Sequence, residues 1–197
     1  GEGGPEQGDR DEQALCDLAA HPEVRAATVK PTLAVAYYPG CETESRRGYR
    51  PVAPLLLIRD VLDGMVARRF GRIVNITSAM VKTPMSPMGL SSAARTGLTS
   101  VVKGLSRDVA RANVTINNLL PERIDTERQR FMAEMAAAMR GQSVDEAYAD
   151  IRASIAAKRL GTPAEFGDAC AFLCSAQAGY LSGQNLQLDG GSYAGIV

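Results

Sequence analysis

The sequence predicts an α/β fold: a mainly parallel sheet with helices on both faces. The first observation is alternation, since short strand-like runs ("TLAVA", "RIVNITS", "VTINNLL", "NLQL") take turns with longer helical stretches. The second is spacing. Each pair of apolar runs is separated by a full helix, and a connection that long returns a strand parallel to its predecessor. The third is that "TLAVA" and "RIVNITS" read as buried strands, as expected of a sheet covered on both sides.

The elements follow in order. Residues 1–10, "GEGGPEQGDR", carry no structural pattern, and "DEQALCDLAAH" (11–21) reads as a short helix with an acidic start. "PTLAVAYYPG" (31–40) is a buried strand ended by Pro39 and Gly40. "PVAPLLLIRDVLDGMVARRFG" (51–71) is an amphipathic helix that Pro51 opens and Gly71 closes. After the strand "RIVNITS" comes a long helix over 91–113, with an apolar face through Leu98, Val101, Val102, Leu105 and Val109. "VTINNLL" is the third strand. A helix-rich segment at 126–158 carries Met132, Met135 and Met139 at helical spacing. They either line an apolar pocket or pack the helix. "TPAEFGDACAFLCSA" is a helix with Pro163 early and Glu165 in its first turn, and "NLQLDGG" holds the last strand. Four parallel strands are expected near 32–37, 72–77, 114–120 and 185–189, adjacent in that order, with right-handed crossovers placing helices on both faces.

Composition narrows the partners. The 197 residues suffice for one domain and show no break that demands a second, so 1–197 is read as a single unit. Lys+Arg and Asp+Glu balance at 22 each, which argues against nucleic acid as a partner. The clusters Arg46, Arg47, Arg50 and Arg68, Arg69, Arg72 read as exposed charge at helix ends and loops. The longest apolar run, "VAPLLLI", is too short to span a bilayer, and the acidic, Gly-rich start is unlike a targeting peptide. A cytoplasmic location is expected. Cys170 and Cys174 sit four apart in an apolar helix, far in sequence from the single histidine, His21. They read as buried small hydrophobes rather than ligands, and no metal site is expected.

Three stretches then carry a resemblance. "GRIVNITS" resembles the strand that ends in the catalytic serine of the short-chain dehydrogenase/reductase family, placing that serine at Ser78. "NVTINNLLPERIDT" resembles the family's strand and Pro-Gly-x-x-x-Thr loop, matched by Pro121, Ile124 and Thr126, with Glu122 in the glycine's place. "RLGTPAEFGDACAFLCSAQAGYLSGQNLQLDGG" resembles the closing helix and strand, with Gly183, Gln184, Asp189, Gly190 and Gly191 in place. The likeness runs from about Val52 to Gly195. It implies a Rossmann-like three-layer sandwich lacking the family's first strands, with 1–30 poorly matched and 126–158 as a lid-like insertion. It further implies carbonyl/alcohol redox with NAD or NADP on a small apolar substrate. Asn75, Arg95, Pro121, Ile124 and Thr126 are the implied cofactor contacts, and Ser78, Ser91 and Arg95 the implied catalytic set.

That set departs from the family's pattern. Ser91 stands at the tyrosine position, Arg95 at the lysine position and Arg50 at that of the helix asparagine. A serine hydroxyl is a far weaker acid than a phenol, and arginine stays charged. Any reaction run here would rest on electrostatic stabilisation of an enolate or alkoxide rather than on a tyrosine relay. The family's Thr-Gly-x-x-x-Gly-x-Gly turn also has no counterpart; "GEGGPEQG" has glycines but no preceding strand. The alternative is therefore an inactive family-derived binding or assembly protein. Changing Ser91→Tyr and Arg95→Lys in these 197 residues is accordingly expected to yield no NAD(P)H-dependent reduction.

A homo-oligomer, dimer or tetramer, is expected from the resemblance. The pairing helices would be 52–69 and 92–111, where Ala93, Ala94, Gly97 and Gly104 allow close approach, Ala93 and Ala94 being equally placed to face the sheet. Residues 1–30 or another chain would then cover the free edge of the first strand.

Overall fold

The computed structural model describes residues 33–37 and 53–196. Four strands, β1 (Leu33–Tyr37), β2 (Gly71–Ile76), β3 (Val114–Pro121) and β4 (Asn185–Leu188), form one parallel sheet in the order β1-β2-β3-β4. Between them lie α1 (Ala53–Ala67), α2 (Gly89–Val109), α3 (Glu127–Arg140), α4 (Val144–Ser154) and α5 (Pro163–Cys174). The Rossmann-like architecture and the strand order are as the sequence predicts. The expected helix at 11–21, the cover of β1 by residues 1–30, and the positions of His21, Arg46, Arg47 and Arg50 lie outside the described residues.

Alternation along β2 and β3 builds the layers. Ile73 and Ile116 face one side, where Ile58 and Met65 of α1 and Leu98 and Val102 of α2 close a buried cluster. Val74 and Leu119 face the other, against Cys170, Leu173 and Cys174 of α5. Both cysteines are buried free thiols, as expected. The hydrogen bond between them lowers the Cys170 pKa, while the same bond and burial raise that of Cys174.

The uniform right-handed crossovers do not hold. The strands succeed one another in a single direction, yet α1 and α2 lie on one face and α5 on the other. The β3–β4 connection must therefore have the opposite hand to the two before it. The handedness rule rests on a twisted strand feeding directly into one packed helix. Here α3 and α4 intervene, forming a hairpin with its own small core of Ala133, Ala137 and Ala147.

Local corrections have local causes. Gly71 does not close α1; it opens β2, and a Cβ there would sit 2.5 Å from the Met65 sulfur. The left-handed residue after the helix is Arg69, at φ 54°. Arg72 is not exposed charge but only 3% accessible. It donates to the carbonyls of Gly71, Asn113 and Ser175 at 2.8–3.2 Å and lies over the Phe70 ring. Burial lowers its pKa. Val101, expected on the apolar face of α2, is 45% exposed, whereas Leu98, Val102 and Val109 are buried. Met132, Met135 and Met139 are exposed on α3 rather than packed inward.

Candidate active site

The two helix faces that build the core also lay out the candidate residues. On α2 the stripe Ser91, Arg95, Leu98, Val102 faces inward. Leu98 and Val102 meet Ile73 and Ile116 in the apolar cluster, so Arg95 and Ser91 continue the stripe beyond it, toward the carboxyl ends of β2 and β3. Open parallel sheets place their ligands at such strand ends.

Ser78 stands two residues past β2 and starts a 3-10 turn, Ala79–Val81, that packs against both α2 and β3. Its backbone is extended, and its Oγ accepts the Met80 N–H at 3.2 Å. That bond occupies a lone pair and leaves the hydroxyl proton to donate. Ser78 is half-buried.

Ser91 and Arg95 are 2% and 9% accessible. The Oγ atoms of Ser91 and of its neighbour Ser92 are buried with no hydrogen-bond partner. Asn75 is fully buried: its Nδ2 donates to Asn118 Oδ1 at 3.2 Å, and Asn118 Nδ2 donates to Asn185 Oδ1 at 2.8 Å. The result is a row of amides across three strands beneath the site. Asn118 and Asn185 went unnoticed in the sequence because their pairing depends on strand register.

On the next strand, Pro121 ends β3 and Thr126 caps α3, its Oγ1 accepting the Gln129 N–H at 3.4 Å. Between them Ile124 bridges to Gly161, and Asp125 N–H donates to the Gly161 carbonyl at 2.8 Å. With Glu122 in the loop, the left-handed position falls on Arg123, at φ 57°. Ser91 and Arg95 thus lie on the helix that packs against the 3-10 turn Ser78 starts, and Pro121, Ile124 and Thr126 follow the neighbouring strand. Arg50 lies outside the described residues. Among the described residues, no group of three or more His, Cys, Asp or Glu could hold a metal. No described helix is long and apolar enough to cross a membrane.

A family model described as Enoyl-(Acyl carrier protein) reductase matches residues 52–193, which contain all of these elements from α1 to β4. The chain belongs to the short-chain dehydrogenase/reductase family. Among curated relatives it is 34% identical over 137 residues to the 3-oxoacyl-acyl-carrier-protein reductase FabG of Vibrio cholerae, covering 70% of this chain and 52% of that protein. It is 35% identical over 137 residues to the acetoacetyl-CoA reductase of Cupriavidus necator, covering 70% and 51%. The chain spans about half the length of the curated relatives it matches. The crystal structure of YwfH, an NADPH-dependent reductase involved in bacilysin biosynthesis, superposes with a TM-score of 0.76 at 26% identity, over 94% of this chain and 75% of that one. The short-chain dehydrogenase/reductase scaffold is therefore present from α1 to β4.

Proposed function

We propose that the protein is an NAD(P)H-dependent reductase whose carbonyl substrate is activated by Ser78 and Arg95. The observation that carries this reading is Ser78 itself. Its Oγ spends an acceptor pair on Met80 N–H, its proton is left to donate, and α2, the helix that bears Arg95, packs against the turn it starts. When bound, a nicotinamide supplies the hydride. The chain's own part is to hold the substrate oxygen, with the Ser78 hydroxyl donating to it and the Arg95 guanidinium stabilising its developing negative charge. Arginine stays protonated, so the proton that completes the alcohol comes from solvent. Ser91 keeps only 2% of its surface, against 9% for Arg95, and its Oγ is wholly buried, so in this reading it shapes the site and does not touch substrate.

The residues present fit the nicotinamide end of the cofactor. Arg95 and Thr126 suit a ribose, and the Pro121–Thr126 loop offers backbone groups to a carboxamide. A glycine-rich cradle for the pyrophosphate is not found among the described residues. The substrates that name the two relatives, a 3-oxoacyl-acyl-carrier-protein and acetoacetyl-CoA, favour a 3-oxoacyl thioester here. The helical hairpin α3–α4 is placed after the candidate loop, as a lid would be, and the protein is proposed to work as a soluble homo-oligomer in the cytoplasm.

The test follows NADPH and NADH consumption with acetoacetyl-CoA, alongside direct titration of both dinucleotides. Turnover that falls by about 10²-fold or more in Ser78→Ala and in Arg95→Met supports the reading. Failure to bind either dinucleotide would overturn it in favour of a binding or assembly role.

A further inference from the structure

Two segments far apart in the chain meet beside the turn that Ser78 starts. Lys82 ends that turn, its N–H donating to the Ala79 carbonyl at 2.9 Å. Its ammonium lies over the Tyr193 ring, 5.2 Å from the centroid, which is cation–π geometry. Lys82 follows β2 and Tyr193 follows β4, with β3 between them, so the contact bridges the end of β3. Both residues are half-buried.

The Tyr193 side of the contact is built firmly. The Asp189 carboxylate accepts the N–H groups of Gly191 and Tyr193 at 2.9 and 2.8 Å. Gly190 and Gly191 turn the chain there at φ 62° and 79°, a backbone that glycine takes without strain. Gly195 then folds against the ring, where a Cβ would run into its hydroxyl end. The Lys82 side is less secure. The start of the Ser78 turn is tied down, since the Thr77 N–H donates to the Leu119 carbonyl at 2.8 Å and Ala79–Val81 packs on α2 and β3. Beyond Lys82, residues 83–87 are all exposed. Among the described residues the Lys82 ammonium has no carboxylate partner, so the ring is the group that holds it.

We propose that Tyr193 is a positioning residue for Ser78, acting through Lys82, in the reading where Ser78 holds the substrate oxygen. Ser78 Oγ accepts the Met80 N–H within this turn, so the direction of its hydroxyl depends on the turn staying closed. The ring anchors the far end at Lys82 while β2 anchors the near end. Without the ring, Lys82 joins the exposed loop, the turn opens more often, and the hydroxyl spends less time aimed at substrate.

Hydrogen exchange at the amides of Met80, Val81 and Lys82, read by NMR on ¹⁵N-labelled protein, tests this with the β2 amides as internal reference. Exchange in the turn should quicken about fivefold in Tyr193→Leu and in Lys82→Met, the size of a cation–π contact near the surface. It should keep the parent rate in Tyr193→Phe, which retains the ring. Lys82→Met retains the apolar stem, so unchanged exchange there would reduce the contact to packing and overturn the proposal. Equal quickening in β2 also overturns it, because the loss is then one of overall stability. In the acetoacetyl-CoA assay, Tyr193→Leu should lower kcat by a similar factor at unchanged KM, and Tyr193→Phe should restore it. A kcat that holds at the parent value while the turn exchanges faster removes the positioning role. A parent without turnover bears on the proposed reductase function alone, and the exchange rates, read without substrate, still decide whether Tyr193 holds the turn.

Discussion

Asn75 and Asn118 face each other across the β2–β3 register, and the Nδ2 of the first donates to the Oδ1 of the second at 3.2 Å. Asn118 passes the chain on to Asn185 in β4 at 2.8 Å. Replacing Asn118 with leucine strands a buried donor on Asn75 and an acceptor on Asn185. The expected cost is about 2–3 kcal/mol, since buried polar groups without partners lose their full desolvation energy. Urea unfolding should show a lower midpoint at unchanged slope.

Ser91→Ala removes a buried hydroxyl that has no partner. Stability should be unchanged or rise by up to about 1 kcal/mol, because the cost of burying that hydroxyl disappears. With Ser78 and Arg95 as the working pair, kcat should stay within about tenfold of the parent, far from the loss expected when a transition-state contact is removed. A fall of about 10²-fold or more at unchanged stability would return Ser91 to the reacting centre.

Arg72→Lys keeps the charge but loses the fork that reaches the carbonyls of Gly71, Asn113 and Ser175. A loss of about 2 kcal/mol or more is expected in denaturant unfolding, from acceptors left buried beside β2.

The Arg159 hydrogen bonds, aided by the Thr162 N–H, hold the Glu165 carboxyl down at about 2, against an ordinary 4.5. A depressed carboxylate stabilises the fold fully above its unfolded value and loses that contribution as pH falls toward the folded one. The Tm difference between the parent and Glu165→Gln should therefore be constant above about pH 5 and vanish as pH falls through about 2. The pair is exposed, so added salt should shrink the difference. A difference that persists at the acid end would show that Glu165 acts through its capping bonds to Thr162 instead.

Assembly through α1 and α2 is proposed from their outer faces. Leu56 and Leu57 on α1 and Val101 on α2 are 43%, 53% and 45% exposed. Gly97 and Gly104 on α2, on the Val101 side, have open space where a Cβ would stand. Ala93 is exposed on α2, while Ala94 is buried. Leu57→Lys with Val101→Lys should weaken self-association about tenfold or more, read by light scattering across protein concentration, because buried apolar anchors carry such contacts. A parent chain that stays monomeric at micromolar concentration counts against this interface.

The sequence by itself determined where the strands lie, the alternation of helices and the positions of Ser78, Pro121 and Thr126, because each is a local signal. A β-branched run, a proline after a strand and a capping threonine act through neighbours within a few residues. Only the tertiary structure decided the rest. The hand of the β3–β4 connection depends on which face α5 covers, not on the composition of α5. Arg72 reads as surface charge until β2 brings it to Asn113, 41 residues away. The asparagine row exists only through strand register, and Tyr193 meets Lys82 only once β3 and β4 have paired beside β2. These are long-range pairings, which packing and register create and which no spacing within one segment encodes.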